Sequence, residues 1–188
     1  MAYTNPVPTR EAWQKLRDTN KVPKGAAKVS IGDAIAKVHK SFSPTSVDAN
    51  VKDTKQLIKD LDAYINTVKA KHPSFEAVVK KDVKKKAEDH LRFMEDIVKA
   101  RVEYYPRYSA ALEEWKGFKT SGKGKLKDVA AKLQRLKGCV DAFAMLDTKW
   151  EAKRPQVQKI FQLCDTAASL NPTQSGAVDT LFVDLKPS

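Results

Sequence analysis

The sequence predicts an all-α fold, an elongated antiparallel bundle of three long helices preceded by an N-terminal arm of short helices. Apolar residues recur at alternating spacings of three and four over long stretches, and prolines are rare after the first quarter of the chain. A length of 188 residues with 41% apolar side chains suits a single domain with a buried core. We expect an arm over residues 1–45, a bundle over 46–170 and a C-terminal docking tail over 171–188.

Two short helices are predicted in the arm. Thr9 is a suitable N-cap for the first helix, in which Trp13 and Leu16 share one face. Ser30, followed by Asp33 three residues later, approximates a capping box for the second. The shared apolar face makes Trp13 and Leu16 candidates for docking a partner.

The bundle begins with a strongly periodic segment. Apolar residues from Val47 to Val68 keep a regular helical spacing. The predicted helix ends at His72, because the residue before Pro73 disfavours helical geometry. A second long helix is predicted from Ser74 onward.

The second and third long helices each contain a proline. In the second, the apolar register passes through Pro106 without a change of phase, which favours one kinked helix. A polar loop over 119–125 follows, and a third register over 126–168 crosses Pro155. We expect a kink there too; the alternative is a chain reversal at Pro155 that makes a fourth helix. The predicted core register of the second helix is Ala87, Leu91, Met94, Val98, Arg101, Tyr105, Tyr108, Leu112 and Trp115.

The tail follows Asn171 and Pro172, a pair that we expect to stop the third helix. Its composition is too apolar for a purely solvated segment, so we expect it to dock on the bundle or on a partner. Its candidate docking residues are Leu181, Phe182 and Leu185.

Residues that could support catalysis are few and scattered. Glycine-loop, zinc-protease and hydrolase motifs do not occur, and the Glu-x-x-His pairs of di-iron bundles are missing. We interpret His90 as a structural residue at the surface or half-buried. Cys139 and Cys164 are interpreted as buried packing residues, with a redox pair as the alternative if the chain reverses at Pro155. We therefore expect no enzyme activity, cofactor, metal or small-molecule substrate.

An aromatic cluster surrounds the proline of the second long helix. Flat amphipathic rings interleaved with basic residues suit base stacking or a lipid headgroup layer. Their place on the core register instead favours packing with exposed hydroxyl groups. The cluster comprises Tyr104, Tyr105, Tyr108, Trp115 and Phe118.

A basic excess is the remaining feature, with 35 lysines and arginines against 23 acidic residues and a net charge of +12. Lysine dominates over arginine, which argues against sequence-specific nucleic-acid recognition. Clustered lysines still suit nonspecific attraction to acidic lipids or phosphates. The candidates for such a surface are Lys80, Lys81, Lys84, Lys85, Lys86, Lys119, Lys123, Lys125 and Lys127.

These features favour a non-catalytic helical scaffold that binds another protein or assembles as a homo-oligomer. We expect it in the cytoplasm, because the sequence contains neither a membrane-spanning apolar stretch nor a signal peptide. The alternative is a basic helical module that binds an acidic membrane or, nonspecifically, nucleic acid. Three long kinked helices with basic faces are similar in their lengths to the BAR class, a resemblance that implies a membrane-binding dimer.

Overall fold

The computed structural model describes residues 3–25, 30–121 and 125–187. The prediction of an all-α protein is confirmed, since these ranges contain helices and short connections but no strand. None of the described helices is both long and apolar enough to cross a membrane. In chain order the helices are α1 (Arg10–Thr19), α2 (Ile31–Ser41), α3 (Val47–Val68), α4 (Pro73–Val79), a π-helical segment (Lys80–Lys84), α5 (Lys85–Ser121), α6 (Leu126–Ala144), α7 (Thr148–Thr166) and α8 (Pro172–Asp184).

The chain divides into two compact units, and the division falls within α5. The N-terminal unit comprises Thr4–Val98. The C-terminal unit comprises Lys99–Ser188 together with Tyr3, whose backbone N–H donates to the carbonyl of Met145 at 2.8 Å. The predicted arm helices belong to the first unit and the predicted tail to the second, while the organisation into a single domain stays a prediction.

The core of the N-terminal unit joins α1, α2, α3 and α4. Its centre is aromatic: the ring of Trp13 lies edge-on to Tyr64 at 5.3 Å between centroids and 5.8 Å from the ring of Phe75. All three side chains are at most 4% exposed. The apolar residues of the predicted arm therefore build the same core as the first long helix.

The helix ends of this unit only partly follow the predictions. Thr9 caps α1 as expected, accepting from the backbone N–H of Ala12 at 3.2 Å. Ser30 precedes α2, but its hydroxyl forms no cap hydrogen bond. The prediction that α3 ends at His72 is wrong by one turn, because the helix closes at Val68, whose carbonyl accepts from the His72 N–H at 2.8 Å.

The π-helical segment accounts for an irregular apolar spacing. Four buried positions lie four residues apart: Phe75, Val79, Val83 and Ala87. In a regular helix of 3.6 residues per turn, three such steps rotate the apolar line by about 120°. The wider i→i+5 turn of Lys80–Lys84 absorbs the extra length and keeps Ala87 on the core side.

Helix α5 is continuous through Pro106, as predicted. Its core register is wrong at five of the nine predicted positions, however: Arg101 and Tyr105 are exposed, and Leu91, Val98 and Leu112 are only partly buried. In each of the five cases the buried residue is the one immediately before the predicted one. Apolar residues flank the true core line on one side, so hydrophobicity alone favoured the wrong neighbours. The buried line is Ala87, His90, Met94, Ile97, Ala100, Tyr104, Tyr108, Ala111 and Trp115.

The prediction of a third long helix is also wrong, because the chain forms two helices there, α6 and α7, that pack closely against each other. The turn lies at residues 145–147, and Asp147 explains it. The Asp147 carboxylate accepts from the backbone N–H of Lys149 at 2.9 Å, a typical N-cap bond. Pro155 lies inside α7, so neither a continuous helix across residue 147 nor a reversal at Pro155 occurs.

The two cysteines are free and buried, as predicted for packing residues. Cys139 lies about 8 Å before the end of α6 and Cys164 about 24 Å after the start of α7, at about 1.5 Å per residue. The alternative of a redox pair is therefore wrong, because a turn at 145–147 sets the thiols at different levels. Burial raises the pKa of Cys164 to about 11, which keeps its thiol protonated.

The tail, which we expected only to dock, forms helix α8. Asn171 accepts from the backbone N–H of Gln174 at 2.9 Å, and the Gln174 side chain accepts from the Asn171 N–H at the same distance. This is a capping box, and Pro172 occupies the first helical position, where proline is favoured. The pair predicted to stop one helix therefore begins the next.

The two kinds of proline position predict opposite effects on stability. We expect Pro155→Ala to raise the free energy of unfolding by about 1–3 kcal/mol, because an interior proline removes a backbone hydrogen bond. Pro73→Ala is the matched control: it lies at the first position of α4 and should lower stability by at most about 1 kcal/mol. Urea unfolding of both variants measures this. Destabilisation by Pro155→Ala would contradict a helix through residue 155.

Candidate functional site

Side chains of α5 hold α8 in place within the C-terminal unit. Trp115 donates from Nε1 to Oδ1 of Asp179 at 2.8 Å, and Lys119 donates from Nζ to Oδ2 of the same carboxylate at 2.7 Å. The bond from Lys119, and then that from Trp115, holds the pKa of Asp179 below its usual value. Both oxygen atoms of this carboxylate are therefore occupied.

Two buried tyrosines hold the C-terminal end of α8. The hydroxyl of Tyr108 donates to the carbonyl of Phe182 at 2.8 Å, and that of Tyr104 to the carbonyl of Leu185 at 2.5 Å. The last carbonyls of a helix have no partner within it, so these hydroxyls satisfy them. The expectation of exposed hydroxyls is wrong for both tyrosines, whereas Tyr105 is 65% exposed.

Helix α7 adds a further contact to the same end of α8. Lys153 donates from Nζ to the carbonyl of Asp184 at 2.6 Å and lies 4.7 Å from the centroid of the Trp150 ring. That ring packs 4.9 Å from Phe143 and 5.2 Å from Tyr104. Along the pairs Trp115–Asp179, Tyr108–Phe182 and Tyr104–Leu185, residue numbers fall in α5 and rise in α8, so the two helices are antiparallel.

An open groove of about 520 Å³ lies between α5 and α8. Its floor is apolar, and lysines stand along its rim. Because Asp179 already binds Lys119, the other two lysines leave the groove positively charged. No ion pair of Lys116 or Lys186 occurs among the residues that the structure describes. The lining residues are Tyr108, Leu112, Trp115, Lys116, Lys119, Thr120, Asp179, Phe182, Val183 and Lys186.

Exposed apolar side chains adjoin this groove. Val183 lines it and is 74% exposed, and Val102 and Tyr105 of α5 are 72% and 65% exposed. Tyr105 lies two helical turns before Leu112 and therefore on the same side of α5 as the groove. Val102 lies next to Tyr105, one turn earlier. The apolar surface thus extends along α5 beyond the groove itself.

The predicted partner-docking residues lie inside their own units. Trp13, Leu181, Phe182 and Leu185 are at most 4% exposed, and Leu16 packs partly buried against the N-terminal core. The tail therefore docks on its own unit, one of the two alternatives predicted for it. Of these residues only Phe182 lines the groove, and their role in binding a partner stays a prediction.

The lysines predicted to bind an anionic surface fall into two groups. Lys81, Lys86, Lys125 and Lys127 have no ion pair within the described ranges, and Lys123 lies outside them. The paired lysines are partly neutralised by the chain itself, so the surface is less positive than the lysine count suggests. The pairs are Lys80 with Glu76, Lys84 with Asp62 and Glu88, Lys85 with Asp89, and Lys119 with Asp179.

His90 is entirely buried, so its predicted place at or near the surface is wrong. Its Nε2 lies 2.8 Å from Oδ1 of Asn50, whose Nδ2 donates to the carbonyl of Val38 at 2.8 Å. Since the amide oxygen accepts, His90 carries a proton on Nε2. Burial, with a smaller contribution from His39, lowers the pKa of His90 to about 4. The contact joins α5 to α3 and α2, a structural role.

A metal site finds no support in the described part of the chain, where no three histidine, cysteine or acidic side chains stand together. In comparisons with known proteins, no family model, curated protein or solved structure matched this chain. The geometry of the groove therefore stands alone as evidence on function.

Half of the ten lining residues were not candidates from the sequence: Lys116, Thr120, Asp179, Val183 and Lys186. A helix starting at the Asn171 capping box would have placed four residues on one face, at spacings of three and four. That side of α8 borders the groove opposite α5. Its members are Asp179, Phe182, Val183 and Lys186.

The tyrosine contacts predict a measurable loss of stability. Tyr104→Phe and Tyr108→Phe should each lower the free energy of unfolding by about 1–2 kcal/mol, because each leaves a buried carbonyl without its donor. Tyr105→Phe is the control and should change it by less than about 0.5 kcal/mol. Urea unfolding followed by the NMR signal of the Trp150 indole reports on this unit. Equal effects of all three variants would contradict the assigned contacts.

The buried histidine predicts a pH dependence. Below its ordinary pKa of 6.5, His90 takes up a proton in the unfolded chain, but in the folded chain only near pH 4. Stability should therefore fall as the pH drops from 6.5 to 4, by up to about 3 kcal/mol. Because His90→Gln cannot titrate, the stability difference between wild type and variant should shrink over this range. Urea unfolding followed by the Trp13 indole signal measures it, and a constant difference would contradict the buried neutral state.

Proposed function

We propose that this chain is a non-catalytic helical module whose C-terminal unit binds another protein through the surface formed by α5 and α8. The observation that carries the proposal is the set of exposed apolar side chains beside an apolar groove: Val102, Tyr105 and Val183. Contiguous exposed apolar surface is typical of sites that another molecule covers. Single exposed apolar residues are common, but here Val183 lines the groove, and Tyr105 and Val102 lie on the same side of α5 beyond it.

The environments of the potentially reactive side chains support a non-catalytic role. His90 is buried and uses its Nε2 proton to hold Asn50. Cys139 and Cys164 are buried, and burial raises the pKa of both thiols, which disfavours the reactive thiolate. These groups serve packing and hydrogen bonding.

Binding to an anionic surface, the alternative function, has less support. Several of its candidate lysines bind carboxylates of the same chain, and those without an ion pair are divided between the two units. Lys81 and Lys86 belong to the N-terminal unit, and Lys125 and Lys127 to the C-terminal unit. At the groove, moreover, lysines border an apolar floor, which suits a protein surface better than a phosphate array.

Site-specific photocrosslinking tests the proposed function. A photoreactive amino acid is placed at position 102 or 183, and at position 127 on α6 as an exposed control. In its native cells we expect adducts with the same protein from positions 102 and 183 but not from 127. That protein, identified and purified, should bind wild type at least about tenfold more tightly than Val102→Asp, Val183→Asp or both variants.

Two other crosslinking results would contradict or change the proposed function. Adducts that occur equally at position 127, or that contain only lipid or nucleic acid, would refute binding through this surface. Adducts between two copies of the chain would replace a partner protein with self-association, which sedimentation equilibrium would then confirm.

A further inference from the structure

We infer that the groove between α5 and α8 binds an acidic amphipathic helix of the partner. The inference rests on the proposed function and names the chemistry of the partner at that site. Three properties of the groove support it: its length, the spacing of its apolar side chains and the charge of its rim.

The length of the groove matches a short helix. Its α5 wall runs from Tyr108 to Thr120, which is about 18 Å at 1.5 Å per residue. A guest helix of about three turns would lie along this wall. The groove is open along its side, whereas small molecules favour cavities that surround most of their surface. A helix laid in a groove is a common mode of peptide recognition.

The apolar side chains on the α5 wall of the groove repeat at helical spacing. On α5, Tyr108, Leu112 and Trp115 are separated by four and three residues, and on α8 Phe182 and Val183 face them. Guest side chains at positions i, i+3, i+4 and i+7 meet such walls. Val183 has the most surface to lose on binding, because 74% of it is exposed.

The rim charges select an acidic guest. Lys119 and Lys186 stand toward opposite ends of the groove, because Lys119 binds Asp179 near the middle of α8 whereas Lys186 follows the end of that helix. Lys116 adds a third positive charge on α5. With Asp179 already occupied by two donors, Lys116 and Lys186 are the cations that carboxylates of a guest would meet.

Other occupants fit less well. A second copy of the chain would bring together two molecules of net charge +12, which opposes their association. A flat membrane would reach the rim lysines but not the floor between two helices. An acidic helix satisfies both the floor and the rim.

Synthetic peptides test this inference on the full chain. The panel consists of capped peptides of about 14 residues with Leu, Ile, Phe or Trp at i, i+3, i+4 and i+7 and Glu elsewhere. One control set carries Lys in place of Glu, and another has the acidic composition in scrambled order. Binding is followed by the indole N–H signal of Trp115, with Trp13 and Trp150 as internal controls. Acidic periodic peptides should bind with a Kd below about 1 mM and shift the Trp115 signal without shifting that of Trp13.

Paired variants locate the binding site. Val183→Asp should weaken binding at least about fivefold, whereas Val102→Asp, equally exposed but outside the groove, should change it less than about twofold. The double variant Lys116→Glu with Lys186→Glu should weaken binding at least about tenfold. Lys127→Glu with Lys159→Glu changes the net charge equally on α6 and α7, and it should leave binding within about twofold.

Four results would overturn the inference: no acidic periodic peptide binds, scrambled peptides bind equally, both lysine pairs weaken binding equally, or acidic phosphatidylserine vesicles shift the Trp115 signal while the peptides do not. A crosslinked partner protein that is lost in Val102→Asp but retained in Val183→Asp would overturn the groove site and leave the proposed function intact. Absence of any protein adduct would instead refute the proposed function.

Discussion

The peripheral helices of this protein depend on donors from neighbouring helices to their C-terminal carbonyls. Asn50 of α3 donates to the carbonyl of Val38 near the end of α2, and Tyr108 of α5 donates to that of Phe182 near the end of α8. Helix ends leave such carbonyls without partners, and packing removes the water that would otherwise solvate them. Each bond therefore fixes where a short helix can lie, with a directionality that apolar packing lacks. Docking of α8 in turn creates the groove, because Tyr108 both binds α8 and lines the floor.

One carboxylate couples this docking to the charge of the groove. Asp179 receives bonds from Trp115 and Lys119, so α8 brings a negative charge that is satisfied as soon as the helix docks. Without that charge, Lys119 would join the rim cations and the floor would be bordered by positive charge alone. With it, the cations that lack an ion pair within the described residues are Lys116 and Lys186, on opposite walls of the groove. Asp179 thus both fixes α8 against α5 and determines which lysines of the groove stay unpaired within the described residues.

Sequence patterns predicted the helical class and the continuity of α5, but not the site, for identifiable physical reasons. Positions 104 and 105 are both tyrosines, so the periodicity of the sequence could not decide which of the two hydroxyls is buried. That choice depends on the carbonyl of Leu185, 81 residues away. The N-cap signals of Asp147 and Asn171 were present in the sequence, but the third helix was predicted to run through Asp147, and Asn171 was interpreted as a helix end. The groove requires two corrections to the predicted fold, the core register of α5 and the helical structure of the tail, because it forms where these two helices meet.

The lysine-rich composition has a second consequence at this surface. An apolar groove with Val183 largely exposed invites self-association, and association through apolar patches is weakly selective. Lysines at the rim oppose a second copy, since both copies carry the same excess charge, and they favour the carboxylate-bearing partner that we propose. The effect of the net charge of +12 thus depends on where the lysines lie: pairs with carboxylates on the helices support the fold, and under the proposed function the lysines that border the apolar floor discriminate among partners.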